Sequence, residues 1–107
     1  MVERLVKKYG KQLIEELISL IYIKGNLNGI DMRELLLQYG AIKKTTKTIK
    51  AWCNTYQPNG IMPNGTWGKT DDVHRSISIS NGRNQTLIYI SFKDSELDGI
   101  MKYLRET

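Results

Sequence analysis

One cysteine, one histidine, one phenylalanine and two prolines are all that the 107 residues contain of these types. The lone Cys53 excludes an intramolecular disulfide. Together with the lone His74 it also excludes the cysteine–histidine ligand sets of zinc fingers. Cys53 reads as a small buried hydrophobe, with a reactive thiol as the alternative, and an intracellular, reducing compartment is the natural expectation. Long hydrophobic runs are also missing. The apolar stretch at 13–23 is interrupted by Glu15, Glu16 and Ser19; it is too short and too charged to cross a bilayer, and no secretory signal is evident. The chain lacks internal repeats, low-complexity tracts, a nucleotide-binding glycine loop and a nucleophile–base pair.

Basic residues are plentiful and unevenly placed. The net charge is +5. Residues 1–39 contribute a net +1, residues 40–93 a net +6, and residues 94–107 a net −2. The positive field therefore belongs to the middle of the chain, as a polyanion-facing surface would require. Length and apolar content correspond to one domain with a modest core.

Four helices and a hairpin are expected. The first helix is predicted from about Val2 to Ile23, with Leu13, Ile14, Leu17, Ile18, Leu20 and Ile21 making an apolar face wider than one contact needs. That face suits either a central buried helix or pairing with a second copy of the chain. Gly25 and Asn28-Gly29 turn the chain. A short second helix follows, with Asp31 as N-cap, Glu34 as its capping-box partner and Gly40 as the left-handed stop.

Residues 43–56 carry the most information. Read as a helix, they place Ile49, Trp52, Cys53 and Tyr56 at i, i+3, i+4 and i+7 on one apolar face. The other face then holds Lys43, Lys44, Lys47, Thr48, Lys50, Asn54 and Thr55, with no carboxylate. Such a face suits phosphates and base edges, or it is a solvated surface.

The segment 57–74 is dense in turn signals. Ile61 to Trp67, around Pro63-Asn64-Gly65, can form a small hairpin of its own. Trp67 either folds this loop back on the domain or serves as a stacking or anchoring residue. Residues 75–92 read as a hairpin: Ile77, Ile79, Ile88, Ile90 and Phe92 share one face, and Ser76, Ser78 and Ser80 make the other face wet. That match requires a two- or four-residue loop at Asn81–Asn84, with Arg83 at its tip. The last helix begins near Asp94-Ser95, with Ser95 and Asp98 as a capping box. Its stripe of Leu97, Ile100, Met101 and Leu104 suits either the core or a dimer interface.

The order helix, short extended piece, helix, basic helix, hairpin, helix resembles the winged helix-turn-helix DNA-binding domains, over roughly residues 10–95. The resemblance rests on Asp31 to Tyr56 for the helix-turn-helix and Arg75 to Phe92 for the wing. It implies an α+β fold: a three-helix core, helix-turn-helix about 31–56, wing about 75–92 and C-terminal helix about 95–106. It further implies a cytoplasmic, nucleoid-associated protein that binds double-stranded DNA sequence-specifically as a homodimer through its first and last helices, and acts in transcription regulation or as a centromere-binding protein in plasmid partition. The implied DNA contacts are Lys43, Lys44, Thr46, Lys47, Thr48, Lys50, Asn54, Lys69, Arg75 and Arg83. No cofactor, metal or catalytic residue is expected. The eighteen or so residues between the basic segment and the hairpin depart from the family pattern.

Two other readings remain. One is a winged-helix interaction module, a host-factor inhibitor or assembly adaptor, marked by Met62 and Trp67 as an exposed apolar patch. The other is a small nuclease or other enzyme using Asp71, Asp72 and His74; adjacent carboxylates seldom converge on one ion without further ligands.

Overall fold

The computed structural model describes residues 2–83 and 85–107. The fold is α+β: among the described residues there are four helices, a four-stranded antiparallel sheet and a separate two-stranded ribbon. In chain order the elements are α1 (Val2–Tyr9), α2 (Lys11–Leu20), β1 (Gly25–Leu27), α3 (Gly29–Gln38), β2 (Ile49–Tyr56), β3 (Asn59–Ile61), β4 (Trp67–Lys69), β5 (His74–Asn81), β6 (Thr86–Lys93), a short 3₁₀ turn (Asp94–Glu96) and α4 (Leu97–Glu106). The large sheet has the order β1-β2-β5-β6, and β3 pairs with β4. Among the described residues no helix is long and apolar enough to cross a membrane.

Period-two alternation builds the sheet. Ile49, Ala51, Cys53, Ile77, Ile79, Ile88, Ile90 and Phe92 all point to one side and are buried. They form a single cluster with Val2 and Val6 of α1, Leu13, Ile14, Leu17 and Ile18 of α2, Met32 and Leu36 of α3, and Ile100 and Leu104 of α4. All four helices therefore cover the same face, and the other face is open. Each fully buried isoleucine or leucine contributes about 1.5–3 kcal/mol, so this one cluster carries most of the stabilisation.

The structure revises several expectations. The first helix is two helices, because Gly10 takes φ 93° between them. The break lets α1 lie beside β6, where the Tyr9 hydroxyl donates to the Leu87 carbonyl at 3.3 Å. The wide apolar face of α2 is consumed within the chain: Leu13, Ile14, Leu17 and Ile21 are fully buried. On α4, Ile100 and Leu104 are buried and Met101 is exposed. The apolar stripes that suggested a dimer thus serve the monomer core.

The N-cap of α3 is Asn28, not Asp31; its Oδ1 accepts from the N–H groups of Ile30 (2.9 Å) and Asp31 (3.2 Å). The C-terminal end is as expected. Gly40 is left-handed at φ 69°, and bonds from Gly40 N–H to Leu37 O and from Ala41 N–H to Leu36 O close the helix in a Schellman motif. At the last helix the expected Ser95–Asp98 box is replaced. Glu96 accepts from the Lys93 N–H at 2.9 Å, and Ser95 is held by Asp72.

The main correction concerns residues 43–56. They form no helix: a loop leads into β2, so the helix-turn-helix expected over 31–56 is not built. Four of the five residues from Thr45 to Ile49 are β-branched, which disfavours a helix. Beyond them the burial alternates strictly, with Ile49, Ala51 and Cys53 in and Lys50, Trp52 and Asn54 out. The 75–92 hairpin forms with the expected residues on its buried face but two residues out of the register that a loop at Asn81–Asn84 would set: Ile77 lies opposite Ile90 and Ile79 opposite Ile88, and both strands are an integral part of the sheet. Asn81 N–H donates to Gln85 O, so three residues separate the closing pair. The odd number is absorbed by a register shift between Ile79 and Ser80. Asn84, at the expected loop, lies outside the described residues. The small ribbon expected at 61–67 is present, with Ile61 opposite Trp67.

Candidate nucleic-acid interface

The loop before β2 and the tip of the β5–β6 hairpin meet at one end of the sheet. Thr46 N–H donates to Lys43 O at 2.9 Å, folding residues 43–46 into a turn. Arg33 of α3 fastens that turn: its Nε donates to Thr46 O at 2.7 Å and an Nη to Lys44 O at 3.1 Å. The next residues run along the hairpin tip. A β-carbon on Gly82 would stand 3.0 Å from Thr48 Cβ, so only glycine permits this approach without a shift. On the other side, a β-carbon on Gly29 would collide with the Ile49 carbonyl, which seats α3 against the start of β2.

Two clefts flank the segment. One, of about 480 Å³, is lined by Thr45, Thr46, Lys47, Thr48, Asn81, Gly82, Arg83 and Gln85. The other, of about 510 Å³, lies between Lys47–Ile49 and the start of α3, including Arg33. Neither lining contains a carboxylate. Lys43, Lys44, Lys47, Thr48, Lys50 and Arg83 are exposed, and Thr46 is half-buried. Seven of the ten residues expected to contact DNA are thereby brought to one end of the molecule, although no helix carries them.

The other three are elsewhere. Asn54 points outward from the middle of β2. Lys69 lies on β4 in the ribbon, opposite Asn59. Arg75 turns to the helix side, with Nε 2.8 Å from Asp94 Oδ1, Nη2 3.3 Å from Oδ2, and its guanidinium 4.7 Å above the Tyr22 ring. The hydrogen-bonded Asp94 raises the Arg75 pKa further. Arg75 is a structural ion pair in this fold, not a free cation.

Asp71, Asp72 and His74 are not assembled into a site. Asp72 accepts from Ser95 N–H at 2.8 Å and Ser95 Oγ at 2.7 Å, while His74 Nε2 faces Ser91 Oγ at 3.0 Å. Among the described residues no three of His, Cys, Asp and Glu approach closely enough to hold a metal ion. Cys53 is buried against the Leu20 carbonyl, and burial pushes its thiol pKa up, so it is a poor nucleophile.

The open face of the sheet holds functional groups that helical periodicity misassigns. Trp52 and Tyr56 look like core residues on a helix, but on the strand they face solvent. Across the sheet, Asn26, Trp52, Ser78 and Tyr89 occupy one row. Asn54, Ser76 and Ser91 make the next row, and Tyr56, His74 and Lys93 the one beyond. Trp52, Tyr56 and Tyr89 are 51%, 51% and 55% exposed. The alternation Ile49-x-Ala51-x-Cys53 was the signal that could have revealed this face. No protein-family model, curated protein or solved structure matches the chain.

Proposed function

We propose that this protein binds nucleic acid, gripping the phosphodiester backbone at the end where the 43–50 segment meets the hairpin tip. The observation that carries the reading is that Lys47 and Arg83 line clefts that have no carboxylate, with Lys43, Lys44 and Lys50 exposed on the segment that forms one wall. A surface of that kind neutralises phosphates and releases counterions, which supplies most of the affinity in such complexes. The major-groove docking implied by the winged-helix resemblance required a helix at 43–56, so duplex DNA is retained here as a ligand of the basic end without that mode of entry. Transcription regulation and plasmid partition are roles such binding could serve.

Titration of labelled duplexes and single strands at two salt concentrations tests the reading. Affinity should fall steeply with salt. Replacing Lys47 and Lys50 together by Ala should lower the salt slope by about one to two. Salt-independent affinity, or no binding by the intact protein, would overturn it.

A second reading is favoured by a different surface. Ile61 and Trp67 face each other across the β3–β4 ribbon and are 67% and 75% exposed. Asn59 and Lys69 share that side of the ribbon, while the Gly60–Gly68 pair leaves the other side without large side chains, so Ile61 and Trp67 form a small apolar pair with a polar border. An exposed tryptophan beside an aliphatic residue suits a protein contact, in an adaptor or inhibitor role.

A further inference from the structure

Resting on the nucleic-acid reading above, the geometry points to the open sheet face as a stacking platform for unpaired bases. We infer that a single strand, anchored by its phosphates at the basic end, runs across β2, β5 and β6.

Three features of the face converge on that ligand. The first is its aromatic content. Trp52 on β2 and Tyr89 on β6 lie in one row with Ser78 between them. Adjacent strands are about 4.8 Å apart, so the two ring-bearing positions are roughly 10 Å apart. Tyr56 lies two rows along β2 from Trp52 and leans on His74, ring centres 4.7 Å apart. Every base has a π-face, and only unpaired bases can offer it; paired bases keep theirs inside the duplex stack.

The second feature is the central strand. Its outward residues between His74 and the hairpin are Ser76, Ser78 and Ser80, so β5 forms a low hydroxyl-lined floor between the taller side chains of β2 and β6. Serine both donates and accepts, and suits base edges and sugar hydroxyls without dictating sequence. Asn54, opposite Ser76, adds an amide with both functions.

The third feature is charge. The outward positions of the four strands include Lys50 at one end and Lys93 at the other, and no carboxylate. Asp72 near the Lys93 end is already occupied by Ser95. Lys50 connects the platform directly to the basic loop. This charge opposes face-to-face pairing of two copies, which would juxtapose lysines. The serines and asparagines oppose docking of an apolar helix. A polyanion with exposed aromatic rings fits both.

The test uses the full chain carrying Trp67→Phe, which leaves Trp52 as the sole tryptophan. Oligo-dT and oligo-rU strands of about twelve nucleotides, and a duplex of the same length, are titrated while Trp52 emission and oligonucleotide anisotropy are followed. Single strands should quench Trp52 and the duplex should not; the dT and rU arms show whether the 2′-hydroxyl contributes. Trp52→Ala and Tyr89→Ala should each weaken single-strand binding about tenfold and leave duplex binding within about twofold, and Trp52→Phe should restore most of the loss. Thermal unfolding verifies that each variant is folded. Unchanged Trp52 emission at saturation, with wild-type affinity in Trp52→Ala, would overturn the platform while leaving the basic end intact. Equal losses for single strands and duplex would overturn it as well. Failure of the parent protein to bind either form in low salt would instead overturn the nucleic-acid reading.

Discussion

Gly82 faces Thr48 across the gap between the hairpin tip and the basic loop so closely that a β-carbon at Gly82 would stand 3.0 Å from Thr48 Cβ, and one of the two would have to shift to admit it. The approach brings the basic loop and Arg83 of the hairpin tip to the same cleft. Gly82 is not among the left-handed glycines of the chain, so a larger residue there meets steric resistance alone. Gly82→Val should destabilise the protein by about 1–2 kcal/mol through overpacking. Thr48→Gly in the same chain should recover part of that loss. Urea unfolding of the two single variants and the double variant measures the coupling, which should be at least about 0.5 kcal/mol. Additive effects would mean that the loop yields freely and does not register against the hairpin.

Arg33 acts on the basic loop from below. Its guanidinium is directed to the Thr46 and Lys44 carbonyls and holds the loop in place instead of projecting to a ligand. Arg33→Ala should lower stability by about 1–2 kcal/mol, the usual cost of losing hydrogen bonds to a charged group at a partly exposed site. It should also weaken nucleic-acid binding, but with a salt slope close to that of the parent, because no phosphate contact is removed. Lys47→Ala should do the opposite, leaving stability nearly unchanged and lowering the slope by about one. A salt slope that falls as much for Arg33→Ala as for Lys47→Ala would show that Arg33 reaches phosphate itself.

Asp72 ties the loop before β5 to the start of the last helix. Hydrogen bonds from the Ser95 hydroxyl and then from the Ser95 N–H hold its carboxyl below the usual carboxylate range. A depressed folded-state pKa stabilises the protein above the unfolded pKa, and that contribution disappears as pH falls through the folded value. Asp72→Ala should therefore lower the melting temperature at neutral pH. The difference from the parent should shrink as pH drops below about 4, where unfolded aspartates protonate. A constant difference down to the lowest accessible pH would mean that Asp72 stabilises by packing and not by its charge.

How far the sequence by itself determines this protein differs from segment to segment. The 75–92 hairpin is legible because its signals are local. Isoleucines alternate with serines on one strand and with polar or aromatic residues on the other, and a turn cluster lies between them, so the faces follow from spacing alone. The loop length and the register escaped, because a bulge can absorb one residue and a slip of two leaves every side chain on the same face. Gly40 as a helix stop and the small ribbon around Pro63-Asn64-Gly65 are legible for the same reason. The charge distribution is legible too, and the basic end contains most of the residues it singled out.

Residues 43–56 were not decided locally. Trp52 and Tyr56 are apolar enough to extend a helical stripe from Ile49 and Cys53, yet polar enough to stand in water, so both periods fit the same letters. Tertiary pairing broke the tie. β1 and β5 supply backbone partners on both sides of β2, and Ile49, Ala51 and Cys53 find helices to cover them only when the segment is extended. The same non-local packing moved Arg75 from an expected DNA contact to Asp94, twenty residues or so along the chain, and drew the apolar stripes of α2 and α4 into one core. The sequence determined the positive charge and the alternating strands. Which side of β2 faces water, and hence which aromatic rings are free to meet a ligand, was decided only when distant strands competed for the same backbone hydrogen bonds.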